Sequence, residues 1–563
     1  MEDTSKYDLE STQLPYLSGT VLKLFVKLLK TPVIGNLLIA NLLKTAGIDA
    51  FRNKSFDEEI TGKPLYFSKE NYVQSKPESG FSEPDSSPPQ GFHFLGASDF
   101  VQAYQSGQQT PESVAQRVID VLKDSDQRNP PLRAVIAYDV EDIMEQARAS
   151  AERYQKGTPL SLLDGVPIAV KDEMDMVPYP TTVGTAFLGK EPAKEDSTVA
   201  ARLREKGALL IGKANMHEIG INVTGLNPHH GIARNPYSLQ RYTGGSSSGP
   251  ASAVAAGLCP IAIGADGGGS IRIPASFCGV VGIKSTYGRV SEFGAAPLCW
   301  SVAHIGPITA NVRDLVLAWS LIAGPDEKDP NTLVQPPLNL ENWTNLDLSD
   351  LSIGVYWPWF RHAAPAVVES CEQMVKYFED RGAKIVSIEI PDLEAGRIAH
   401  LITIASEMAQ AMDPYWAEHG NQFGLDVQTN LILARNFTSR DYIQAQRVRT
   451  RLIGHFMSAF EDVDVILTPA TGLTAPEIKP NALPDGDSDL TVLNEIMRFA
   501  QPANMTGLPA IAFPVGYDQA GMPISMQAMG KPWDERTLFR LALAAEGVVE
   551  RRKPIWHYSL LEN

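Results

Sequence analysis

The residues whose types and spacing could do chemistry sit in two short clusters and at one strand end. The first cluster is Gly244-Gly245-Ser246-Ser247-Ser248-Gly249, and the second runs from Asp266 through Gly267-Gly268-Gly269-Ser270-Ile271-Arg272 to Pro274. Upstream, Lys171 directly follows the apolar run Val166 to Val170. On the residues alone three uses of the clusters stay open. Glycine at this density serves tight turns and close backbone packing. It also serves phosphate cradles, although neither cluster has the GxxxxGK[ST] spacing, and Arg272 stands where a third glycine would follow Gly267 and Gly269. The third use is nucleophilic catalysis, in which a serine hydroxyl needs a base to take its proton. Gly245 to Gly249 spells GxSxG around Ser247, but Gln240 to Thr243 is not the buried strand that a nucleophile elbow requires.

Other reactive side chains point to less. None of the ten histidines lies in HExxH, and His229-His230, beside Pro228, has no cysteine near enough in sequence to complete a zinc ligand set. No metal or organic cofactor is expected. The four cysteines, Cys259, Cys278, Cys299 and Cys371, show no CxxC spacing, which suits a reducing compartment. The acidic, polar start from Met1 to Glu10 does not resemble a secretory signal.

The elements that must position these groups alternate between helix and strand. Thr198 to Lys206 has the pattern of a capped helix closed by Gly207, followed by the strand Ala208 to Ile211. Pro250 to Ala256 is a small-residue helix and Cys259 to Gly264 the strand after it. Asp462 to Leu467 and Ala510 to Phe513 are later strands. Such alternation predicts an α/β fold, a large mixed but mainly parallel β-sheet covered by helices on both faces. A chain of 563 residues could hold three or four units at roughly 150 each, but one sheet can absorb most of that length. Hydrophobic residues at 44% and charged residues at 20% exclude a wholly disordered chain. The net charge of −17 argues against nucleic acid as a partner, since phosphate binding needs a basic footprint.

Residues Gly19 to Lys44 differ in kind, with four lysines and no acidic residue. On a helix Lys23, Lys27 and Lys30 share one face, leaving Val21, Leu22, Phe25, Val26, Leu28 and Leu29 on the remainder. Pro32 ends this helix, and Val33 to Leu43 is a second apolar stretch interrupted by Asn36 and Asn41. Each is too short to span a bilayer, which takes about 20 consecutive apolar residues. Three fates remain open: packing on the chain's own core, lying on an anionic membrane surface, and dimerisation. The Pro/Ser/Gly-rich stretch from Ser75 to Phe92 predicts a disordered-type linker. The organisation expected is therefore an N-terminal helical arm over 1–74, a linker over 75–92 and a catalytic domain over 93–563.

Together the two clusters and the lysine resemble the amidase signature family, hydrolases that use a Ser-Ser-Lys triad. The matching segments are Tyr242 to Arg289, Leu163 to Asp175, Gly212 to Gly220 and Asn504 to Gly530, so the resemblance extends over nearly all of the chain after residue 95. It implies the amidase signature fold, with Ser270 as nucleophile, Ser246 as bridging serine after a cis Gly245–Ser246 peptide, and Lys171 as base. It also implies an oxyanion hole from the backbone N–H groups of Gly267, Gly268, Gly269 and Ser270, supported by Ser247, Asp266 and Arg272. Departures from the common pattern are Ala265 and Pro250, and neither removes a catalytic group. An amine acts as a base only when neutral, a form favoured by burial and opposed by nearby carboxylates. Lys171, at the end of an apolar strand and followed by Asp172, Glu173 and Asp175, invites both influences.

Within that family the chain is most similar to the plant-type fatty acid amide hydrolases, through the helical arm, Phe51 to Asn53, Asp441 to Gln446 and Asp462 to Pro480. This resemblance implies hydrolysis of N-acylethanolamines and related fatty acid amides. It further implies a homodimer peripheral to the cytosolic face of the endoplasmic reticulum or plasma membrane, held there through the arm. The alternatives are a small-amide or peptide amidase and the glutaminase subunit of a tRNA-dependent amidotransferase.

Overall fold

The apolar runs become interior strands of the largest sheet among the described residues, which has eleven strands. The computed structural model describes residues 7–11, 15–67, 90–484 and 486–562, so most of the expected linker over 75–92 lies outside the described residues. In chain order the strands are β1 Val135–Ala137, β2 Pro167–Lys171, β3 Leu209–Ala214, β4 Ile261–Ala265, β5 Val281–Lys284 and β6 Ile305–Thr309. They continue as β7 Ser352–Val355, β8 Lys384–Ser387, β9 Val465–Pro469, β10 Ala510–Tyr517 and β11 Pro523–Gly530. Across the sheet the order is β8-β7-β9-β11-β10-β5-β6-β4-β2-β3-β1. The sheet is mixed, with helices on both faces, as expected. The expectation that it is mainly parallel needs correction: β2 is parallel to β3 and β4, and β7 to β8 and β9, while the other six pairings are antiparallel.

Connection length accounts for one pairing of each kind. A parallel pair needs a long crossover, whereas a short turn makes its two strands antiparallel. Between β2 and β3 the chain passes through the helix Thr198–Glu205, capped by Ser197 and followed by Gly207 at φ +81°. Between β10 and β11 there is only a turn, in which the Asp518 carboxylate accepts from the N–H groups of Ala520 and Met522, both at 2.9 Å. The small-residue helix spans Ser248–Ala255, two residues earlier than its proline suggested. Pro250 fits inside its first turn because N–H groups there have no intrahelical acceptor to lose.

The arm forms two longer helices broken at Pro32, α1 Gly19–Leu29 and α2 Pro32–Thr45, followed by one short helix over Ile48–Arg52. Four later helices meet it: α3 Leu393–His419, α4 Leu425–Ala434, α5 Ser439–Asp462 and α6 Leu490–Met497. Leu22, Val26 and Leu29 are buried, and their i, i+4, i+7 spacing turns one face of α1 onto α4. A second core joins Leu43, Ile48, Phe51 and Phe56 to side chains of α3 and α5. Arg52 fixes this seam by a two-pronged contact to Asp441, Nε to Oδ1 at 2.9 Å and Nη2 to Oδ2 at 2.8 Å. Lys30 leaves the basic face expected for it, since its Nζ donates to Asn421 and Gln428, both at 2.6 Å. The inner side of the arm is thus core, while Val21, Leu24, Val33 and Leu37 on its outer side are 55–74% exposed. No helix among the described residues is long and apolar enough to cross a membrane.

Candidate active site

Lys171 ends β2 and Ala265 ends β4, neighbouring parallel strands, so the predicted groups gather at their carboxyl ends, the usual place for a site in such sheets. Lys171 is fully buried, and its Nζ donates to Ser246 Oγ at 2.8 Å and to the Ala265 carbonyl at 3.3 Å. Of the three following acids, Glu173 is the one that reaches the amine, with Oε2 2.6 Å from Nζ. Asp172 turns instead to Lys213 at 3.2 Å and to Thr182. The Gly245–Ser246 peptide is cis. The carbonyl of the next peptide, that of Ser246, accepts from the backbone N–H of His217 at 3.0 Å. Ser247 joins the clusters: its N–H donates to the Ser270 carbonyl at 3.2 Å, and its Oγ donates to the Ala265 carbonyl at 3.2 Å. Among the described residues Ser270 Oγ makes no hydrogen bond to another side chain, and it borders a cavity. Lys171, Ser246, Ser247 and Ser270 are thereby brought together, with the Lys171–Ser246 bond formed and no bond between Ser246 and Ser270 hydroxyls.

The glycine loop is stretched over a buried ion pair. Arg272 contacts Asp266 through Nε to Oδ2 at 3.0 Å and Nη2 to Oδ1 at 3.1 Å. It also donates to Asn504 Oδ1 at 2.6 Å, to the Ala500 carbonyl at 3.0 Å and to Gln527. Burial works against a charge on Asp266, but Arg272, Asn504 and the Gly269 N–H outweigh it and hold the carboxyl far below its ordinary value. Here one expectation is revised. The Gly269 N–H donates to Asp266 Oδ1 at 2.6 Å, so it braces the loop, whereas the N–H groups of Gly267, Gly268 and Ser270 have no acceptor among the described residues. Gly269 sits at φ +113°, a conformation closed to most side chains, and this turn is what aims its N–H back at the aspartate.

The cavity beginning at Ser270 and Gly268 has a volume of about 170 Å³. Its walls come from α2, α3, α4 and α6, with Leu42, Leu401, Ile404, Met408, Leu433 and Met497 among them. None of these residues was singled out by sequence reasoning. Arg397, His400, Leu401, Ile404, Ala405 and Met408 do recur at helical spacing on α3, but a stripe of that kind marks a core face equally well. Sequence reasoning also missed His400, whose Nε2 lies 2.8 Å from the Gly267 carbonyl. His229 and His230 hold protein partners, Glu218 Oε1 at 2.8 Å and the Thr185 carbonyl at 3.2 Å. All four cysteines are buried and unpaired.

A mixed sheet that presents a buried lysine, two serines and a loop of unpaired amides beside an apolar cavity is the construction of an acyl-transfer enzyme. The chain belongs to the Amidase family, whose model matches residues 118–539, and it is an amide hydrolase. It is 40% identical to the fatty acid amide hydrolase of Medicago truncatula in an alignment covering 99% of this chain and 96% of that one. Its identity to one of the subunits of the glutamyl-tRNA(Gln) amidotransferase of a Cyanothece species is 33%, over 76% of this chain and 93% of that one. Among solved structures, the native peptide amidase from Stenotrophomonas maltophilia superposes with a TM-score of 0.70 at 26% identity, covering 82% of this chain and 98% of that one.

Proposed function

We propose that the chain hydrolyses fatty acid amides, N-acylethanolamines among them, to free fatty acid and amine at the cytosolic surface of a membrane. The observation that carries this reading is the apolar cavity opening from Ser270, walled partly by the arm. Each CH₂ of an acyl chain gains about 0.8 kcal/mol on leaving water, which gives such a cavity its preference for long chains. The 40% identity to a fatty acid amide hydrolase along the whole chain supports the same substrate class. A glutaminase role would leave the apolar walls without a use.

In this mechanism the neutral amine form of Lys171 takes a proton from Ser246, and Ser246 takes one from Ser270 as Ser270 Oγ attacks the amide carbonyl carbon. The resulting oxyanion is held by the N–H groups of Gly267, Gly268 and Ser270, and removing one such donor typically costs 10²–10³ in rate. As the C–N bond breaks, Ser246 returns a proton to the leaving amine. Water then attacks the ester on Ser270 by the same relay, releasing the fatty acid and restoring the serine. Asp266 and Arg272 keep the loop in shape and touch no reacting atom. The test is release of fatty acid from a series of N-acylethanolamines and short soluble amides. Turnover favouring long chains is expected, and turnover confined to short amides would overturn the substrate class.

The outer face of the arm is the proposed membrane contact, because its apolar side chains stand in water beside Lys27. Deleting the arm is a poor test, since Leu42, Thr45 and Ala46 belong to the cavity wall. The double substitution Leu24→Asp and Leu37→Asp leaves the wall alone. Sedimentation with anionic vesicles is expected to weaken, while hydrolysis of a short soluble amide stays unchanged. If vesicle binding survives and the protein turns from dimer to monomer, the face is a contact between two copies.

A further inference from the structure

We propose that His400 is a positioning residue for the reaction, locking the Gly267–Gly268 peptide so that the Gly268 N–H faces the bound carbonyl oxygen. The inference rests on the reading of Ser270 as nucleophile and of the glycine loop as oxyanion hole. His400 projects from α3 and is 1% exposed, and its Nε2 is 2.8 Å from the Gly267 carbonyl oxygen. A carbonyl only accepts, so Nε2 carries the proton. Burial pushes the ring down to about 4, so it is neutral in the working range, with its single N–H committed to this bond.

A trans peptide is planar, with its C=O and N–H on opposite sides. Holding the Gly267 oxygen on the histidine side therefore directs the Gly268 N–H to the other side. Gly268 and Ser270 both border the cavity, and the Gly268 N–H has no acceptor among the described residues. Elsewhere the loop has its own anchors: Gly269 N–H on the Asp266 carboxylate, and Asn504 Nδ2 on the Asp266 carbonyl at 2.8 Å. For the 267–268 peptide, His400 is the one anchor among the described residues. Two glycines flank that peptide, so side-chain sterics do little to stop it turning over. Turned over, it would aim a carbonyl oxygen at the developing oxyanion in place of a donor. The ring also leaves no room for a side chain at 268, where an added Cβ would lie 2.8 Å from His400 Cε1.

His400→Leu keeps an apolar wall and removes the donor, and His400→Gln restores an N–H of similar reach. The leucine variant is expected to lose roughly 10²-fold in kcat with KM little changed, the loss expected for one oxyanion donor. The glutamine variant should recover most of it. A trifluoromethyl ketone with a long acyl chain, which forms a hemiketal oxyanion on serine, should bind the leucine variant more weakly by a similar factor, while the product fatty acid binds as before. Should the leucine variant fold poorly, His400→Asn, too short to reach the Gly267 carbonyl, replaces it in the same measurements. Equal kcat losses in both variants, or a loss confined to KM and to fatty acid binding, would make His400 only a piece of cavity wall. Turnover retained by Ser270→Ala would instead remove the reading beneath it.

Discussion

Ser270→Ala is expected to lower hydrolysis of a long-chain fatty acid amide by roughly 10⁴- to 10⁶-fold, the scale seen when a hydrolase loses its nucleophile. The folded state should scarcely notice. Among the described residues Ser270 Oγ makes no hydrogen bond to another side chain, so its removal leaves no buried side-chain partner unsatisfied there, which is the usual source of cost when a polar group is deleted. Thermal unfolding, binding of the product fatty acid and vesicle association should all stay near those of the natural chain. A fluorophosphonate, which reacts with an activated serine, should label the natural chain and not the variant. Labelling retained in the variant would move the nucleophile to another hydroxyl, and Ser246, hydrogen-bonded to Lys171, would be the first to consider.

The candidate site was legible through the family resemblance, where the residues alone left three uses of the clusters open, and that resemblance has a physical reason. Lys171, Ser246, Ser247, Asp266, Ser270 and Arg272 lie in three short segments whose residue types are dictated by chemistry and close backbone packing. They stay recognisable whatever surrounds them. The strands flanking these segments were also legible, because Val166 to Val170 and Cys259 to Gly264 are apolar runs bounded by glycine or a charged residue. Pairing direction was not, since β5, β6 and β10 meet through contacts distant in sequence, and no local pattern says which edge a strand takes. The arm shows the same limit. Its amphipathic pattern left core, membrane and dimer open together, and the structure uses Leu22, Val26 and Leu29 inward while leaving Leu24 and Leu37 outward. The Gly269 N–H could not be separated from its neighbours either. Only the conformation at φ +113° turns it toward Asp266 and away from the hole.

Replacing Lys171 should rival the loss of the nucleophile in its effect on rate, but the experiment must be built around Glu173. General base catalysis contributes about 10²–10⁴ in rate, so Lys171→Met is expected to fall by up to ~10⁴-fold, with KM for a short amide little altered. The same substitution strands a carboxylate. Glu173 lies 2.6 Å from Nζ and its side chain is 8% exposed, and breaking a buried pair from one side typically costs about 3–5 kcal/mol. A loss of activity in Lys171→Met alone could then be read as a loss of folded protein. The double variant Lys171→Met with Glu173→Gln removes both partners, and a neutral amide at 173 is far less costly to bury than an unpaired carboxylate. Thermal unfolding of the double variant should return toward that of the natural chain, while its hydrolysis stays as low as in Lys171→Met. Recovery of both stability and rate would mean that Lys171 is a structural partner of Glu173 and that some other group takes the proton from Ser246. Recovery of stability alone would leave the amine as the base, since Lys171 is the hydrogen-bond partner of Ser246 Oγ among the described residues.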